Sequence, residues 1–169
     1  MKTKLQFWSI DFIFAIVIFG IVITILFYTW FNLNTQMSSS FNNNQVMQIQ
    51  GQSLVSKLLS KGSPSNWFSY INTTKPATWQ YTQIGLISNG SDISSEKVFT
   101  LMAMSNNNYT VSKQVLGISF NYYIQIYNNQ FNLSFGMNPH GTSATDIYAT
   151  EKNIVINNNS AILKIYIFN

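Results

Sequence analysis

The chain has 169 residues, enough for one modest globular domain with a long element beside it. Charged residues make up only 8% of it, and the nine cations are all Lys, spread from Lys2 to Lys164, which argues against a nucleic-acid surface built on clustered Arg and Lys. With no Cys, disulfides, thiol chemistry and Cys-based zinc sites are excluded, and stability has to come from packing, glycans or assembly.

Residues 1–6 form a short basic leader containing Lys2 and Lys4. Phe12–Trp30 then runs for nineteen residues without a charge. About 20 apolar residues in a helix span a bilayer core of about 30 Å, so this segment is long enough to cross. The lysines ahead of it predict a cytoplasmic amino terminus and an exported carboxy terminus. Tyr28, Trp30 and Phe31 suit an interfacial aromatic belt at the far end. A cleavable signal peptide has a shorter apolar region and an A-x-A-like site, and neither fits. A buried core helix is the remaining alternative. Asp11 lies at the mouth of the apolar run and has two readings. It is a functional acid that needs a partner when desolvated, or an acid at headgroup level favoured by the helix dipole.

The helix is expected to continue as an amphipathic stretch over residues 32–61. From Phe31 to Ser60 there is no Pro and only Gly51, and apolar residues recur at Met37, Phe41, Met47, Leu54 and Leu58. Ser38–Asn44 is a poor helix former within it. Gly62 and Pro64 supply the stop, with Lys57 and Lys61 placed where cations favour the dipole.

Residues 62–169 read as a small α+β head. Trp67 is expected to be buried beside the loop Gly62–Trp67. Thr82–Ser88 reads as a short strand, Ser94–Met104 as a helix with Asp92 and Glu96 as charges at its start, and Tyr109–Leu116 as a helix capped by Gly117. Ile118–Tyr127 and Gln130–Phe135 flank Asn128-Asn129 as one hairpin; Asp146–Ile156 and Ala161–Phe168 flank Asn157–Ser160 as a second. Four antiparallel strands covered on one face by the upper part of the long helix would close a core.

Chemistry is sparse. The one His, His140, sits in a loop, and Asp92, Glu96, Asp146 and Glu151 form no metal-loop pattern. No phosphate loop or nucleophile elbow occurs, so neither an enzyme nor a cofactor or metal site is expected. Five N-x-[ST] sequons follow the apolar segment. Asn72, Asn89, Asn108 and Asn158 are glycan acceptor candidates, while Asn132 lies within an expected strand.

The stretch Lys2–Phe19 (KTKLQFWSIDFIFAIVIF), together with GSPSNW, IGLIS, SEKVFTLM and VLGISFNYYIQI further on, resembles an archaeal type IV pilin-like protein of the minor pilin-like, class III signal peptide type. The resemblance implies a long hydrophobic helix packed on a small antiparallel β-sheet head. It also implies cleavage between Gln6 and Phe7 by a prepilin peptidase, and assembly through Asp11, Phe12, Phe14, Ile16 and Phe19 into a filament core. Asp11 would then stand at the fifth mature position, where such proteins carry their acid, and would pair with the amino terminus of a neighbouring subunit. A Gly or Ala normally precedes the cut in this family, and none is found near Gln6. Either Lys4-Leu5-Gln6 is a divergent site, or the leader is retained and Lys4 takes the place of the free amine. The implied partners are other pilin subunits, the lipid bilayer before assembly, and the assembly machinery. The implied place is the cell membrane with an extracellular head, or a surface filament. The alternative is a single-span anchored binding module that never polymerises, with Tyr122, Tyr123, Tyr127 and Trp79 as a sugar-binding surface.

Overall fold

The computed structural model describes the backbone of residues 4–88 and 90–169, and the side chains of residues 10–35, 43–88 and 90–169. The first element is a helix of 55 residues, α1 (Lys4–Leu58), whose residues divide between two compact units, Met1–Asn43 and Asn44–Asn169.

In the first unit, Ile10–Thr35 is a 26-residue helical stretch with a mean hydropathy of 2.9, long and apolar enough to cross a membrane. Its threonine hydroxyls are spent on the helix itself. Thr24 Oγ1 donates to Gly20 O at 2.8 Å, Thr29 Oγ1 to Ile25 O at 2.9 Å, and Thr35 Oγ1 to Phe31 O at 2.9 Å. Each donor bonds the carbonyl one turn back, so these polar atoms need no water.

In the second unit, the α1 residues Met47, Leu54, Val55 and Leu58 lie in the core. Their spacing of seven, one and three residues keeps them on one stripe of the helix. Gly51 falls on the same stripe, and a methyl group there would come within 2.5 Å of the Tyr148 ring, so only Gly lets the sheet approach. The helix ends two residues before Ser60. Gly62 (φ +76°) turns the chain away. The last carbonyls are taken up by an incoming segment, with Leu86 N–H on Leu58 O at 2.8 Å and Ile87 N–H on Ser60 O at 3.0 Å.

That capping explains why Thr82–Ser88 is not the strand the sequence suggests. Its backbone bonds go to the helix end, to Ser63 and to Asp92 and Ser94, leaving only isolated bridges at Gln83 and Ile87. Gly85 permits the approach, since a Cβ there would meet Gly62 N at 2.3 Å and Ser60 O at 2.4 Å. Two short 3-10 turns, Trp67–Ser69 and Pro76–Thr78, precede it. The indoles behind them are wholly buried: Trp67 Nε1 donates to Gly85 O at 2.8 Å and Trp79 Nε1 to Asn72 O at 2.9 Å.

Strand β1 (Asp92–Ile93) leads into α2 (Ser95–Asn107), with Ser94 as N-cap and Val98, Leu101 and Met104 facing the core. Asp92 therefore lies in a strand and is not a charge of the helix start, whereas Glu96 is in the first turn. Helix α3 (Tyr109–Leu116) is capped by the Asn108 side chain, which accepts from Val111 N–H at 3.0 Å. It ends at Gly117 (φ +74°), with Ile118 N–H returning to Lys113 O at 3.0 Å.

The sheet contains β2 (Asn121–Tyr127), β3 (Asn132–Gly136), β4 (Ile147–Ile156) and β5 (Asn159–Phe168) in the order β1-β4-β5-β2-β3. The four long strands are antiparallel neighbours, as the alternating pattern implies; β1 joins β4 in parallel through two residues, making the sheet mixed. Alternation sends Tyr122, Ile124 and Ile126 of β2 and Ala161, Leu163, Ile165 and Ile167 of β5 inward. The β4–β5 connection is the two-residue turn Asn157-Asn158, both at positive φ (50° and 63°), the conformation a tight hairpin requires and Asn tolerates.

Candidate functional site

The apolar segment is the most unusual surface of the molecule. Phe12, Ile13, Phe14, Ile16, Val17, Ile18 and Phe19 are consecutive or nearly so, and each is at least half exposed. A helix that packs on its own domain needs one apolar stripe, whereas this one is apolar all round, the pattern of a helix covered on every side. Asp11 is exposed at its start. The side chains of Gln6 and Phe7, the expected processing pair, lie outside the described residues.

Two lysines of the head are bonded to backbone carbonyls: Lys97, which is buried and which the sequence reading did not single out, and Lys57, which is partly buried. Lys97 is 2% exposed, and its Nζ donates to Lys61 O at 2.8 Å and Ile87 O at 2.7 Å, pinning the chain after α1 to the segment that caps it. Burial, with the Lys61 charge adding to it, lowers the Lys97 pKa. Lys57 Nζ donates to Leu116 O at 2.7 Å, and burial lowers its pKa as well. The phase of Lys97, four residues before Leu101 on the buried face of α2, was the available sign. Among the described residues the one ion pair is Lys164–Glu151, at 2.5 Å on the exposed sheet surface, where the carboxylate raises the lysine pKa.

A second polar cluster binds the helices to the sheet. Tyr122 Oη lies 2.7 Å from Ser112 Oγ and donates to Ser105 Oγ at 3.0 Å, all three residues being buried. The Tyr109 ring stacks on Tyr122 at 5.0 Å, and its hydroxyl accepts from Tyr122 N–H at 2.8 Å. Burial pushes the Tyr109 phenol up to about 12 and raises Tyr122 too.

This arrangement removes the aromatic sugar platform. Trp79 and Tyr122 are 0% exposed because their rings fill the core and their polar atoms are engaged there, leaving only Tyr123 and Tyr127 partly exposed. Tyr127 borders an open groove of about 430 Å³ with Asn128, Asn129, Gln130, Asn159 and Ser160. Part of that lining is committed to structure, since Asn128 Oδ1 accepts from Gln130 and Phe131 N–H at 2.8 and 3.0 Å. His140 is exposed in a 3-10 turn. No cluster of three or more metal-ligating side chains occurs among the described residues.

The sequons sit in different environments. Asn72 is exposed in a turn, Asn108 is the half-buried cap of α3, Asn132 opens β3, and Asn158 is in the β4–β5 turn. Asn89 lies outside the described residues. The chain matches no protein-family model, no curated protein and no solved structure.

Proposed function

We propose that this chain is a structural subunit, a minor or major pilin, of an archaeal type IV pilus-like surface filament. Its amino-terminal helix is held in the membrane before assembly and surrounded by other subunits after it. The observation that carries this reading is the helix that is apolar and exposed on every side over Ile10–Thr35. Lipid satisfies such a surface, and so do identical or related helices. Asp11 separates the two states. In lipid it stays at headgroup level. In a filament core it is desolvated, and it offsets that cost only where a cation of a neighbouring subunit is in register. Head-to-tail contacts that do not close then give an open helical filament. Lys2 and Lys4 before the segment favour an exported head.

The rival reading, an anchored binding module that does not polymerise, shares the membrane helix and assigns no partner to Asp11. Asp11→Ala decides between them. In a filament subunit the variant inserts and folds but is lost from sheared surface filaments; normal incorporation refutes the pilin reading. Amino-terminal analysis of the assembled protein tests processing separately, with Phe7 expected first and Met1 or Lys2 refuting cleavage.

A further inference from the structure

We propose that Asn72 is, among the described sequons, the principal site of glycan attachment on the head, selected by the turn that holds it. This rests on the reading that the head is exported.

All five sequons have the same residue pattern; among the four described ones, what differs is how the carboxamide is held. At Asn72 the side-chain Oδ1 accepts from the Thr74 N–H at 3.0 Å and from the Thr74 hydroxyl at 2.7 Å. The backbone around it is fixed as well. Lys75 N–H donates to Asn72 O at 2.9 Å, closing the turn, and the buried Trp79 indole donates to the same oxygen at 2.9 Å. Asn72 N–H donates to Thr78 Oγ1 at 3.2 Å, and Asn107 Nδ2 donates to Thr73 O at 3.0 Å. Asn72 and Thr74 remain exposed. Among the described residues Asn72 Nδ2 donates to no protein acceptor, so the turn spends the oxygen and leaves the nitrogen available.

The chemistry uses that division. An amide nitrogen is a weak nucleophile because its lone pair is delocalised onto oxygen. For it to attack the anomeric carbon of a lipid-linked sugar phosphate, it gives a proton to a base of the transferase while charge builds on Oδ1. Two donors already aimed at that oxygen stabilise the charge. The new bond joins Nδ2 to the sugar C1, the bond from C1 to the phosphate oxygen breaks, and the lipid phosphate leaves with the electron pair.

The other described sequons lack this arrangement. At Asn108 the oxygen accepts one described bond, from Val111 N–H at the start of α3, and not from Thr110 of its own sequon. Asn132 is in extended backbone, where Ser134 is about 7 Å further along the strand. Asn158 sits at φ +63°, and among the described residues Ser160 makes no bond to its carboxamide.

The test is site-resolved glycopeptide mass spectrometry on the full chain isolated from the cell surface, with protease accessibility of the head in intact cells measured in parallel. Asn72 is expected to carry more glycan than Asn108, Asn132 or Asn158. Thr78→Val, which keeps the sequon but loosens the turn, is expected to lower Asn72 occupancy several-fold; unchanged occupancy would refute selection by the turn. An accessible head with Asn72 bare, whether or not another sequon is modified, overturns the assignment. A head that is both protected and bare overturns the assignment and the export reading together.

Discussion

Two arginines placed on the apolar helix should release the protein from membranes, and one should not. Phe12–Trp30 contains thirteen Phe, Ile, Val and Leu residues. At about −0.3 to −0.6 kcal/mol each in mid-membrane, they favour insertion by about 4 to 8 kcal/mol. An Arg near the centre costs about 2.5 to 3.5 kcal/mol and removes one apolar contribution. Ile18→Arg alone therefore costs about 3 to 4 kcal/mol, leaving most of the protein inserted. Ile18→Arg with Val22→Arg costs about 6 to 8 kcal/mol, enough to cancel most or all of the balance, and the two lie one turn apart where neither shields the other. Both positions are about half exposed or more, at 60% and 49%, so neither change disturbs packing within the chain. The assay is the fraction sedimenting with membranes after alkaline carbonate extraction, with near-ultraviolet circular dichroism reporting the fold of the head. A double variant that stays membrane-bound with a folded head would refute anchoring by this helix.

Two predictions concern the head. Tyr122→Phe takes away the hydroxyl that contacts Ser112 and Ser105, leaving buried hydroxyls short of a partner at about 1 to 3 kcal/mol. Thermal unfolding of the full chain in detergent should fall by several degrees, and an unchanged midpoint would show that the cluster contributes nothing. The second is alkaline sensitivity. Tyr109 ionises at about 12 when folded against about 10 when unfolded, so its contribution is complete below about pH 10 and is lost as pH rises through about 12. Lys57 and Lys97 act in the opposite sense, because their lowered folded pKa values make stability rise as pH climbs toward the free-lysine value. Unfolding should therefore set in above about pH 10.5, with the lysine gain exhausted and the tyrosine loss continuing. Tyr109→Phe should flatten that loss, and an identical alkaline profile would refute the attribution.

The parts of the head that the sequence made legible are those whose punctuation is local. Gly117 ends α3 because a left-handed residue is needed there, and Asn157-Asn158 turns β4 into β5 for the same reason. The segment from Leu59 to Ser91 was not legible in this way. Its hydrogen bonds run back to the end of α1 and to its own two indoles, as in Leu86 N–H on Leu58 O and Trp67 Nε1 on Gly85 O, and no periodicity encodes such pairings. The apolar alternation in Thr82–Ser88 reflected burial against α1, not membership of the sheet; β1 is too short, at two residues, to leave a pattern. The apolar segment was legible because a long uncharged run is itself the property. The distinction among the sequons was not, because one three-residue pattern fits all of them and only the surrounding turn separates Asn72 from the other described ones.

The scarcity of charge has a consequence for the solvent the head can meet. Its surface polarity is carried mostly by carboxamides and hydroxyls, and those groups neither gain nor lose protons between about pH 2 and about pH 8. Acid unfolds most proteins by protonating carboxylates that the folded state had paired. Here the head has four side-chain carboxylates, and the one in a described ion pair is on the surface, where such a pair contributes little. An acidic or a saline medium leaves most of the polar groups of this head in the state they have at neutral pH.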